Sequence, residues 1–388
     1  MKNILTLNSI SPVINDVFDK NYKISSEVKN PDGIMLRSFK MHDYVLDENT
    51  VAIARAGAGV NNIPVMEYAK QGVVVFNTPG ANANAVKELV ITALMLGSRK
   101  IADAIKWVDT LKGKGDEVGK LVEKGKSEFV GREIMGKKLG IIGLGAIGAQ
   151  VANVCVNLGM QVYGYDPYLS VENALKLSRA VNVVKELEDI IKTCDYITIH
   201  IPYIKDQNHG LINAGLIRKM KDGVVIINCA RGEIVDNADV IEGVKSGKIG
   251  RYVVDFPSDE IIGVDNIVCL PHLGASTPEA EDNCAVMAAK QLIDYIENGN
   301  IVNSVNYPAC FAPRTTDYRI VVLHKNVNNI LAQITSAIGS KGINIVHLTN
   351  KSRGEYAVTI VDAETEIPAT VIDELNNVDD IIRIRVIK

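Results

Sequence analysis

Hydrophobic and polar positions alternate along the first part of the chain in a way that predicts a parallel sheet covered by helices. Helical patterns separate short apolar segments, which is typical of an α/β domain. A long apolar pattern at helical spacing, without proline, then predicts one continuous helix over residues 84–107. The strands predicted before it are Ile4–Leu7, Gly33–Arg37, Val51–Arg55 and Val73–Asn77.

The middle of the chain predicts a second parallel sheet, reached through a polar connection over residues 108–136 that is rich in lysine, glycine and glutamate. Ligands of open α/β sheets bind at the carboxyl ends of the strands, so the residues that follow each strand are candidates for function. The predicted strands are Leu139–Ile142, Asp195–His200, Val224–Asn228, Tyr252–Asp255 and Ile267–Leu270.

The last part of the chain predicts a small separate domain. A helix over residues 280–298 precedes a proline-containing stretch, 301–317, that is typical of a linker. The elements that follow have the order βαββαβ of a ferredoxin-like domain, which suits binding or assembly. They are Tyr318–His324, Ile330–Ile338, Asn344–Leu348, Glu355–Val361, Pro368–Leu375 and Ile381–Ile387.

Three glycines directly after the strand Leu139–Ile142 predict a dinucleotide-binding turn. Gly143 permits the tight turn, Gly145 lets the backbone approach a pyrophosphate, and Gly148 lets the following helix pack closely. Asp166 ends the next strand, 21 residues after Gly145, where a carboxylate can bind the adenosine ribose and repel a 2′-phosphate. The pattern therefore predicts NAD as cofactor rather than NADP.

Composition excludes several other classes of function. A chain of 388 residues with a net charge of −4 is long enough for two or three domains and gives no reason to expect nucleic acid or a membrane as partner. Its cysteines are dispersed without a CxxC pair, which favours reduced thiols in the cytoplasm and no metal site. They are Cys155, Cys194, Cys229, Cys269, Cys284 and Cys310.

Three residues near predicted strand ends could transfer a proton and hold a carboxylate. His272 suits an acid/base role, a carboxylate such as Glu260 could fix its ring, and the fork of Arg231 could bind a 2-oxo acid. Each has an ordinary alternative, since such residues also cap strands, form turns or face solvent. Spacing alone does not decide between these interpretations.

Several motifs together resemble the D-isomer-specific 2-hydroxyacid dehydrogenase family, most closely its phosphoglycerate dehydrogenase branch, over nearly the whole chain. The C-terminal unit resembles an ACT regulatory domain. The motifs are the Gly143 turn, Arg55–Asn62, Asn77–Pro79, Asn228–Gly232, Pro271–Thr277, Arg319–Asn326 and Gly342–Ile345.

The resemblance implies two doubly wound parallel-sheet domains, one Rossmann and one flavodoxin-like, followed by the ferredoxin-like ACT domain. It places the substrate domain at 1–90 with a return segment at 285–305, and the NAD-binding domain at 91–284. A linker at 306–317 and the ACT domain at 318–388 complete the chain.

The resemblance also assigns roles within an NAD-dependent oxidation of 3-phosphoglycerate. His272 is the acid/base, Glu260 its partner, and Arg231 binds the substrate, as do Arg55 and the loop Ala56, Gly57, Ala58 and Gly59. Arg55 is the first candidate for the phosphate, before Arg37 and Arg132. The implied cofactor contacts are Gly143, Gly145, Ala146, Ile147, Gly148, Asp166, Pro202, Cys229, Ala230, Asp255, His272 and Gly274.

Two departures from the family pattern leave alternatives open. The loop Asp255–Gly263 is short and lacks the usual Glu-Pro, so Asp259 remains an alternative to Glu260. At the ACT helix, Asn328-Asn329 replaces Pro-Gly. Serine as effector therefore stays open, as does the choice between dimer and tetramer for the expected homo-oligomer. The candidate effector residues are His324, Asn326 and Asn344.

Overall fold

The computed structural model describes residues 1–387, which form two compact units. One unit contains residues 1–81 together with the chain from Pro278 onward, and the other contains Asn82–Thr277. The predicted boundary at residue 90 lies nine residues later, because the start of the helix after residue 81 was assigned to the substrate domain. In the structure that whole helix belongs to the second unit.

The first unit is built on a five-stranded parallel sheet in the order β2-β1-β3-β4-β5. The four predicted strands are present, and a fifth, β2, was not predicted. The elements are β1 (Lys2–Leu7), a 3-10 turn (Pro12–Asp16), β2 (Tyr22–Ser25), β3 (Gly33–Leu36), β4 (Ala52–Arg55), α1 (Val65–Lys70) and β5 (Val74–Phe76).

The second unit opens with three helices and the 3-10 turns Gly115–Glu117 and Lys126–Phe129, and continues into a seven-stranded parallel sheet. The helices are α2 (Ala83–Ser98), α3 (Ile101–Asp109), α4 (Val118–Gly125), α5 (Ala146–Asn157), α6 (Val171–Lys176), α7 (Leu187–Thr193), α8 (Lys205–Asn208), α9 (Ala214–Lys219) and α10 (Asn237–Lys245). The strands are β6 (Lys138–Ile142), β7 (Gln161–Tyr165), β8 (Asn182–Val183), β9 (Tyr196–Ile199), β10 (Val224–Asn228), β11 (Ile249–Val254) and β12 (Ile267–Cys269).

The strand order β12-β11-β10-β9-β6-β7-β8 reverses direction between β6 and β9, which makes their carboxyl ends the switch point where doubly wound sheets bind ligands. Strands β9 and β10 are fully buried and mostly apolar, as expected for central strands covered on both faces. The predicted Rossmann fold is confirmed.

One predicted helix is wrong. The segment 84–107 divides into α2 and α3, with Arg99 in an extended conformation between them. Ser98 Oγ donates to Leu94 O at 2.8 Å, a bond that competes with continued helix. The polar segment that follows, expected to be a connection without structure, contains the short helix α4.

The chain returns to the first unit through α11 (Pro278–Asn298) and ends in a four-stranded antiparallel sheet in the order β14-β15-β13-β16. This is the predicted βαββαβ ferredoxin-like arrangement. Its elements are β13 (Tyr318–Lys325), α12 (Ile330–Gly339), β14 (Ile345–Arg353), β15 (Tyr356–Ala363), α13 (Ala369–Asn376) and β16 (Ile381–Ile387).

The C-terminal sheet shares a hydrophobic core with the first sheet. Val321 and Leu323 of β13 join the cluster that contains Phe76 of β5 and Tyr295 of α11. The guanidinium of Arg319 is fully buried; it forms a bidentate pair with Asp362 and donates to three further backbone carbonyls. The sheet is therefore a packed part of this unit.

The segment predicted as a linker, 306–317, takes part in this packing. Tyr307, Cys310 and Ala312 are buried, and Tyr307 Oη donates to Ala69 O at 2.7 Å. Exposed linkers carry few such contacts. These contacts explain why residues 318 onward belong to the first unit and do not stand apart.

Candidate active site

A sharp turn between β6 and α5 carries the three glycines predicted to approach a dinucleotide. Gly143 has a left-handed φ of 95°, and a Cβ on Gly148 would collide with Gly143 O. Among the described residues, nothing lies within 4 Å of the position a Cβ would take at Gly145. The turn is thus tight where the helix meets the strand and open where a pyrophosphate would approach.

The amino end of α5 leaves backbone donors free at this turn. The first bond inside the helix runs from Ala149 N–H to Gly145 O at 3.0 Å. The N–H groups of Ala146 and Ile147 find no acceptor within residues 1–387. Such donors, with the positive end of the helix dipole, suit an anion. The residues present therefore fit the phosphates of NAD.

Asp166 lies directly after β7 with its carboxylate held by the backbone. Its Oδ2 accepts from Leu144 N–H and its Oδ1 from Tyr168 N–H, both at 2.9 Å. The two bonds fix the carboxylate beside the glycine turn, where it can accept from ribose hydroxyls. Its negative charge opposes a 2′-phosphate at the same place.

The residues after β9 and β10 lie at the same sheet edge, because these strands are parallel neighbours. Pro202 follows β9, and Cys229 and Ala230 follow β10. Burial raises the pKa of the Cys229 thiol to about 12, so this thiol stays protonated and unreactive at neutral pH. Ala230 N–H donates to Asn228 Oδ1 at 3.1 Å, which fixes the backbone ahead of Arg231.

His200 also lies at this edge, although the sequence analysis did not select it. Its Nε2 lies 3.0 Å from Thr198 Oγ1, and burial lowers the pKa of the ring to about 4. Its backbone oxygen closes the glycine turn, since a Cβ on Gly143 would lie 2.7 Å from it. His200 is therefore a neutral structural histidine beneath the predicted pyrophosphate site.

Arg231 follows β10 in extended backbone, with φ −152° and ψ 141°. Its carbonyl accepts from Asn228 Nδ2 at 2.9 Å, and its Nη1 donates to Ala230 O at 2.6 Å. The guanidinium carbon lies 5.9 Å from the centre of the Phe256 ring. The guanidinium is only partly used, so donors remain for a carboxylate.

His272 occupies an unusual backbone conformation, with φ 56°. Asp255 is buried, and its two carboxylate oxygens accept from Leu273 N–H and Gly274 N–H, each at 2.8 Å. The His272 ring packs on Phe256 with ring centres 4.6 Å apart. Asp255, one of the predicted cofactor contacts, thus also anchors the loop that presents the histidine.

The carboxylate predicted to pair with His272 does not contact it in this structure. Glu260 Oε2 lies 3.5 Å from Asn237 Nδ2. Within residues 1–387, neither Glu260 nor Asp259 comes within 4.0 Å of a His272 ring nitrogen. Both carboxylates are exposed on a turn anchored by buried Ile261, because the shortened loop directs them outward.

The first unit carries the loop predicted to take the substrate carboxylate, Ala56 to Gly59. Ala56 N–H donates to Leu36 O at 2.8 Å and Gly57 N–H to Arg55 O at 2.9 Å, so these two amides are already used. The amides of Ala58 and Gly59 find no acceptor within the described part of the chain. Of the four loop residues predicted to bind substrate, only Ala58 and Gly59 therefore have an amide available for a ligand.

Arg55 and Arg37 stand at the carboxyl ends of the neighbouring strands β4 and β3. Arg55 Nε donates to Asn62 Oδ1 at 3.1 Å, and Arg37 pairs with Glu281 at 2.5 Å. Burial raises the pKa of the Cys284 thiol, and the charges of both arginines act in the opposite direction. The two arginines thus stand at the same edge of the first sheet.

Arg132 lies away from the predicted site. Its Nη2 donates to Gly223 O at 2.6 Å, and its guanidinium carbon lies 5.8 Å from the centre of the Tyr196 ring. Gly223 precedes β10, so Arg132 occupies the amino-terminal edge of this sheet, whereas Arg231 and His272 lie at the carboxyl edge. This position contradicts its candidacy as a phosphate ligand.

Comparison with known proteins agrees with this geometry. A family model described as D-isomer specific 2-hydroxyacid dehydrogenase, NAD binding domain, matches residues 91–274. The D-3-phosphoglycerate dehydrogenase of Haemophilus influenzae is 31% identical and aligns with 87% of this chain and 81% of its own length. The chain belongs to the D-isomer-specific 2-hydroxyacid dehydrogenase family. It is an NAD-dependent enzyme of that family.

Other members of the family show how far the similarity extends. A D-3-phosphoglycerate dehydrogenase of Archaeoglobus fulgidus is 35% identical over 73% of this chain. The aligned part spans about half of that relative's length, 53%. The crystal structure of NAD+-bound 3-phosphoglycerate dehydrogenase from Entamoeba histolytica is 27% identical. It covers 79% of this chain and 98% of its own, with a TM-score of 0.61.

The three candidate effector residues of this family member are engaged in internal bonds. His324 is buried; its Nδ1 lies 2.8 Å from Lys325 O and its Nε2 2.9 Å from Thr359 Oγ1. Asn326 Nδ2 donates to Gly354 O at 3.1 Å, and Asn344 O accepts from Glu364 N–H at 3.0 Å. Burial lowers the pKa of His324, which favours its neutral form.

Residues 1–387 also show neither a cluster of metal ligands nor a membrane-spanning helix. No group of three or more histidine, cysteine, aspartate or glutamate side chains is placed to hold a metal ion. No helix in this part of the chain is both long and apolar enough to cross a membrane.

Two residues that position candidate site residues, one in each unit, are absent from the sequence prediction. Phe256 contacts the His272 ring and the Arg231 guanidinium, yet an aromatic residue after a strand looks like ordinary core. Asn77 donates from Nδ2 to Ala58 O at 2.6 Å and so holds the carboxylate loop. The motif Asn77–Pro79 was noted only for its resemblance, which was the one available signal.

Proposed function

We propose that this enzyme oxidises 3-phospho-D-glycerate to 3-phosphohydroxypyruvate with NAD+, the first step of L-serine biosynthesis. One observation carries the substrate assignment: Arg37 and Arg55 stand together at neighbouring strand ends, and the loop with free amides follows Arg55 directly. A phosphate and a carboxylate are the anions such donors bind. The curated relatives named D-3-phosphoglycerate dehydrogenase support the same substrate.

The cofactor would be held by the turn that contains Gly143, Gly145 and Gly148. Its pyrophosphate would accept from the Ala146 and Ile147 amides, and its adenosine ribose would donate to Asp166. Pro202, Cys229, Ala230, Asp255 and Gly274 line the same carboxyl edge and are proposed as further contacts. When bound, NAD+ supplies the acceptor for a hydride at its nicotinamide ring.

Four residues would then bind and activate the substrate. In the first unit, the amides of Ala58 and Gly59 are the proposed donors to the substrate carboxylate, and in the second unit the guanidinium of Arg231 is proposed as a substrate contact. Binding of the carboxylate fixes C2 in place. The proton of the C2 hydroxyl moves to a ring nitrogen of His272, which becomes imidazolium. The C2–H bond breaks with its electron pair leaving as hydride, and the C2–O bond becomes a carbonyl.

Glu260 is proposed to stabilise this imidazolium. Because it lies against Asn237 in the present conformation, the proposal requires the turn over residues 256–263 to move when substrate binds. Catalytic contacts of this kind often tighten only in the substrate complex. Asp259, on the same turn, is the alternative partner.

A substrate panel tests the proposal. NADH consumption is followed with 3-phosphohydroxypyruvate, hydroxypyruvate, glyoxylate, pyruvate and 2-oxoglutarate. Two charge-assisted contacts to phosphate predict a preference in kcat/KM of about 100-fold for the phosphorylated compound. Equal or faster turnover of an unphosphorylated 2-oxo acid would retain the chemistry at His272 but reject the phosphate site.

The second candidate function is reduction of an unphosphorylated 2-oxo acid such as hydroxypyruvate or glyoxylate. One observation favours it: Arg37 is paired with Glu281 at 2.5 Å, so part of the positive charge at the proposed phosphate site is already neutralised. A non-catalytic NAD-sensing role is the remaining alternative, and any turnover in the panel rejects it.

Regulation by serine, homo-oligomer formation and a cytoplasmic location stay predictions. The internal bonds of His324 give little support to direct serine binding there. Initial rates with and without L-serine, and sedimentation of the purified protein, check the first two.

A further inference from the structure

The loop proposed to bind the substrate carboxylate is held by the residues that follow β5. Asn77 Nδ2 donates to Ala58 O at 2.6 Å, and Thr78 N–H donates to Gly57 O at 3.1 Å. These two bonds grip the loop on its carbonyl side. The amides of Ala58 and Gly59 are left to face a ligand, so the direction of the amides depends on Asn77.

Asn77 is itself held by a side chain of α11. Gln291 Nε2 donates to Asn77 O at 3.1 Å and to Met287 O at 3.2 Å. Gln291 is only 9% exposed, so solvent screens this contact little. A continuous chain of hydrogen bonds therefore runs from α11 through Asn77 to Ala58 O.

The other polar atom of Gln291 is unsatisfied. Gln291 Oε1 is buried and has no hydrogen-bond partner within residues 1–387. An unpaired buried acceptor destabilises the folded state, and an aliphatic side chain of similar length would avoid this penalty. A buried amide of which only the donor half is used is held here for the bonds that its Nε2 donates, and one of these bonds fixes Asn77.

We infer that Gln291 is a positioning residue, which acts through Asn77 to aim the Ala58 and Gly59 amides at the substrate carboxylate. The inference rests on the proposed function of this loop. Since the carboxylate is bound in both the ground state and the transition state, loss of the alignment raises KM with little change in kcat.

Gln291→Met is the test variant, and Tyr295→Phe is its matched control. Tyr295 lies one turn along α11, and its Oη is likewise buried without a partner in the described residues. Tyr295→Phe removes only an unsatisfied atom and is expected to leave the Tm unchanged or higher. Gln291→Met removes an unsatisfied acceptor together with the two bonds that Nε2 donates, so these opposing effects are expected to leave its Tm near that of wild type. Only Gln291→Met is expected to raise KM, by about tenfold, for whichever 2-oxo acid the panel identifies as substrate.

Two further variants separate the inference from the function on which it rests. Ala58→Pro deletes a proposed carboxylate donor directly and should raise KM if the loop binds the carboxylate. Asn77→Ala, combined with Gln291→Met, should raise KM no more than Asn77→Ala alone, because both lie on one chain of bonds.

The outcomes distinguish a failure of the positioning role of Gln291 from a failure of the carboxylate role of the loop. If Ala58→Pro leaves KM unchanged, the carboxylate role of the loop fails and the role of Gln291 fails with it. If Ala58→Pro raises KM but Gln291→Met matches wild type, only the positioning role is rejected. A comparable rise in KM for Tyr295→Phe, or a lowered Tm for Gln291→Met with full additivity to Asn77→Ala, would show a merely structural effect.

Discussion

His272 combines a left-handed backbone with a ring packed on Phe256, and this combination fixes where its nitrogens lie. A φ of 56° is uncommon for residues other than glycine, although asparagine, aspartate and histidine tolerate it best. The amides of Leu273 and Gly274, which follow His272, donate to the Asp255 carboxylate and stabilise this conformation. The backbone conformation and the contact with Phe256 together set the position of the imidazole.

Because asparagine tolerates the same backbone, His272→Asn isolates the loss of the imidazole. We expect kcat to fall by about 100-fold or more, the usual size of a general acid/base contribution. The dissociation constant of NADH should stay near wild type, as measured by quenching of protein fluorescence. A loss in kcat well below 100-fold would argue against the acid/base role.

Substitution can decide whether Glu260 or Asp259, both on the shortened loop, stabilises the His272 imidazolium. Glu260→Gln should lower kcat by about tenfold or more if this carboxylate stabilises the imidazolium, because a charge-assisted contact is lost. Asp259→Asn is the matched control and should behave like wild type. The reverse pattern would assign the role to Asp259, and two unaffected variants would remove carboxylate assistance from the mechanism.

Sequence alone points to some of the candidate site residues and not to others. The glycine turn and Asp166 follow from spacing within one βαβ unit, since each partner is close in sequence. Arg231 and His272 needed the family resemblance, because a strand end does not by itself imply chemistry. Gln291 is linked to Asn77 across 214 positions, and no local pattern indicates such a contact.

At the scale of elements, the turn from β6 to α5 separates two requirements that both select glycine. Gly148 is confined by the backbone of Gly143 in the turn, whereas Gly145 has open space where its side chain would be. The first requirement concerns packing of the helix, and the second concerns approach of a ligand. The two glycines should therefore respond differently to the same substitution.

Gly145→Ala should leave the Tm of the ligand-free protein unchanged and weaken NADH binding by about tenfold or more, because the added methyl group faces the pyrophosphate. Gly148→Ala should lower the Tm as well, since the methyl group collides with a backbone carbonyl and overpacking of this kind typically costs about 1–3 kcal/mol. Thermal unfolding and NADH titration of both variants provide the check. A Tm loss in Gly145→Ala alone would contradict the assignment.

Element prediction failed where local bonds override periodicity. The division between α2 and α3 follows from the Ser98 hydroxyl bond and the extended Arg99, neither of which alters the apolar pattern. The unpredicted β2 is short, with one buried residue in four, so it carries too few apolar positions to be recognised.

At the scale of the whole molecule, the C-terminal sheet is part of the first unit because both faces of β13 are apolar. Ile320 and Val322 pack under α12 and α13, while Val321 and Leu323 join the core of the first sheet. A strand buried on both faces reads as a continuous apolar run, and Ile320–Leu323 is such a run. This signal could have predicted the shared core.

The stability of the folded chain should fall on acidification because two buried histidines are neutral. Burial lowers the pKa of His200 to about 4 and also lowers that of His324. Both pKa values lie below the ordinary value near 6.5, so the stability that each neutral ring contributes is complete above about pH 6.5 and declines as the pH falls. For His200 this contribution is lost as the pH falls through about 4.

When the pH is lowered from 7.5 to 5, the free energy of unfolding should therefore decrease less in His200→Asn than in wild type. Urea unfolding at the two pH values measures the difference, and His324→Asn serves as the parallel case in the other unit. If the decrease is the same in His200→Asn and in wild type, the buried neutral state of this histidine is not the source of the acid sensitivity.

The central claim is that Arg55 selects a phosphorylated substrate, and one ratio tests it most directly. kcat/KM for 3-phosphohydroxypyruvate is divided by kcat/KM for hydroxypyruvate, in wild type and in Arg55→Met, since these substrates differ only by the phosphoryl group. We predict a ratio of about 100 in wild type and a ratio lower by about tenfold or more in Arg55→Met. A wild-type ratio near one, or an unchanged ratio in Arg55→Met, would contradict the account.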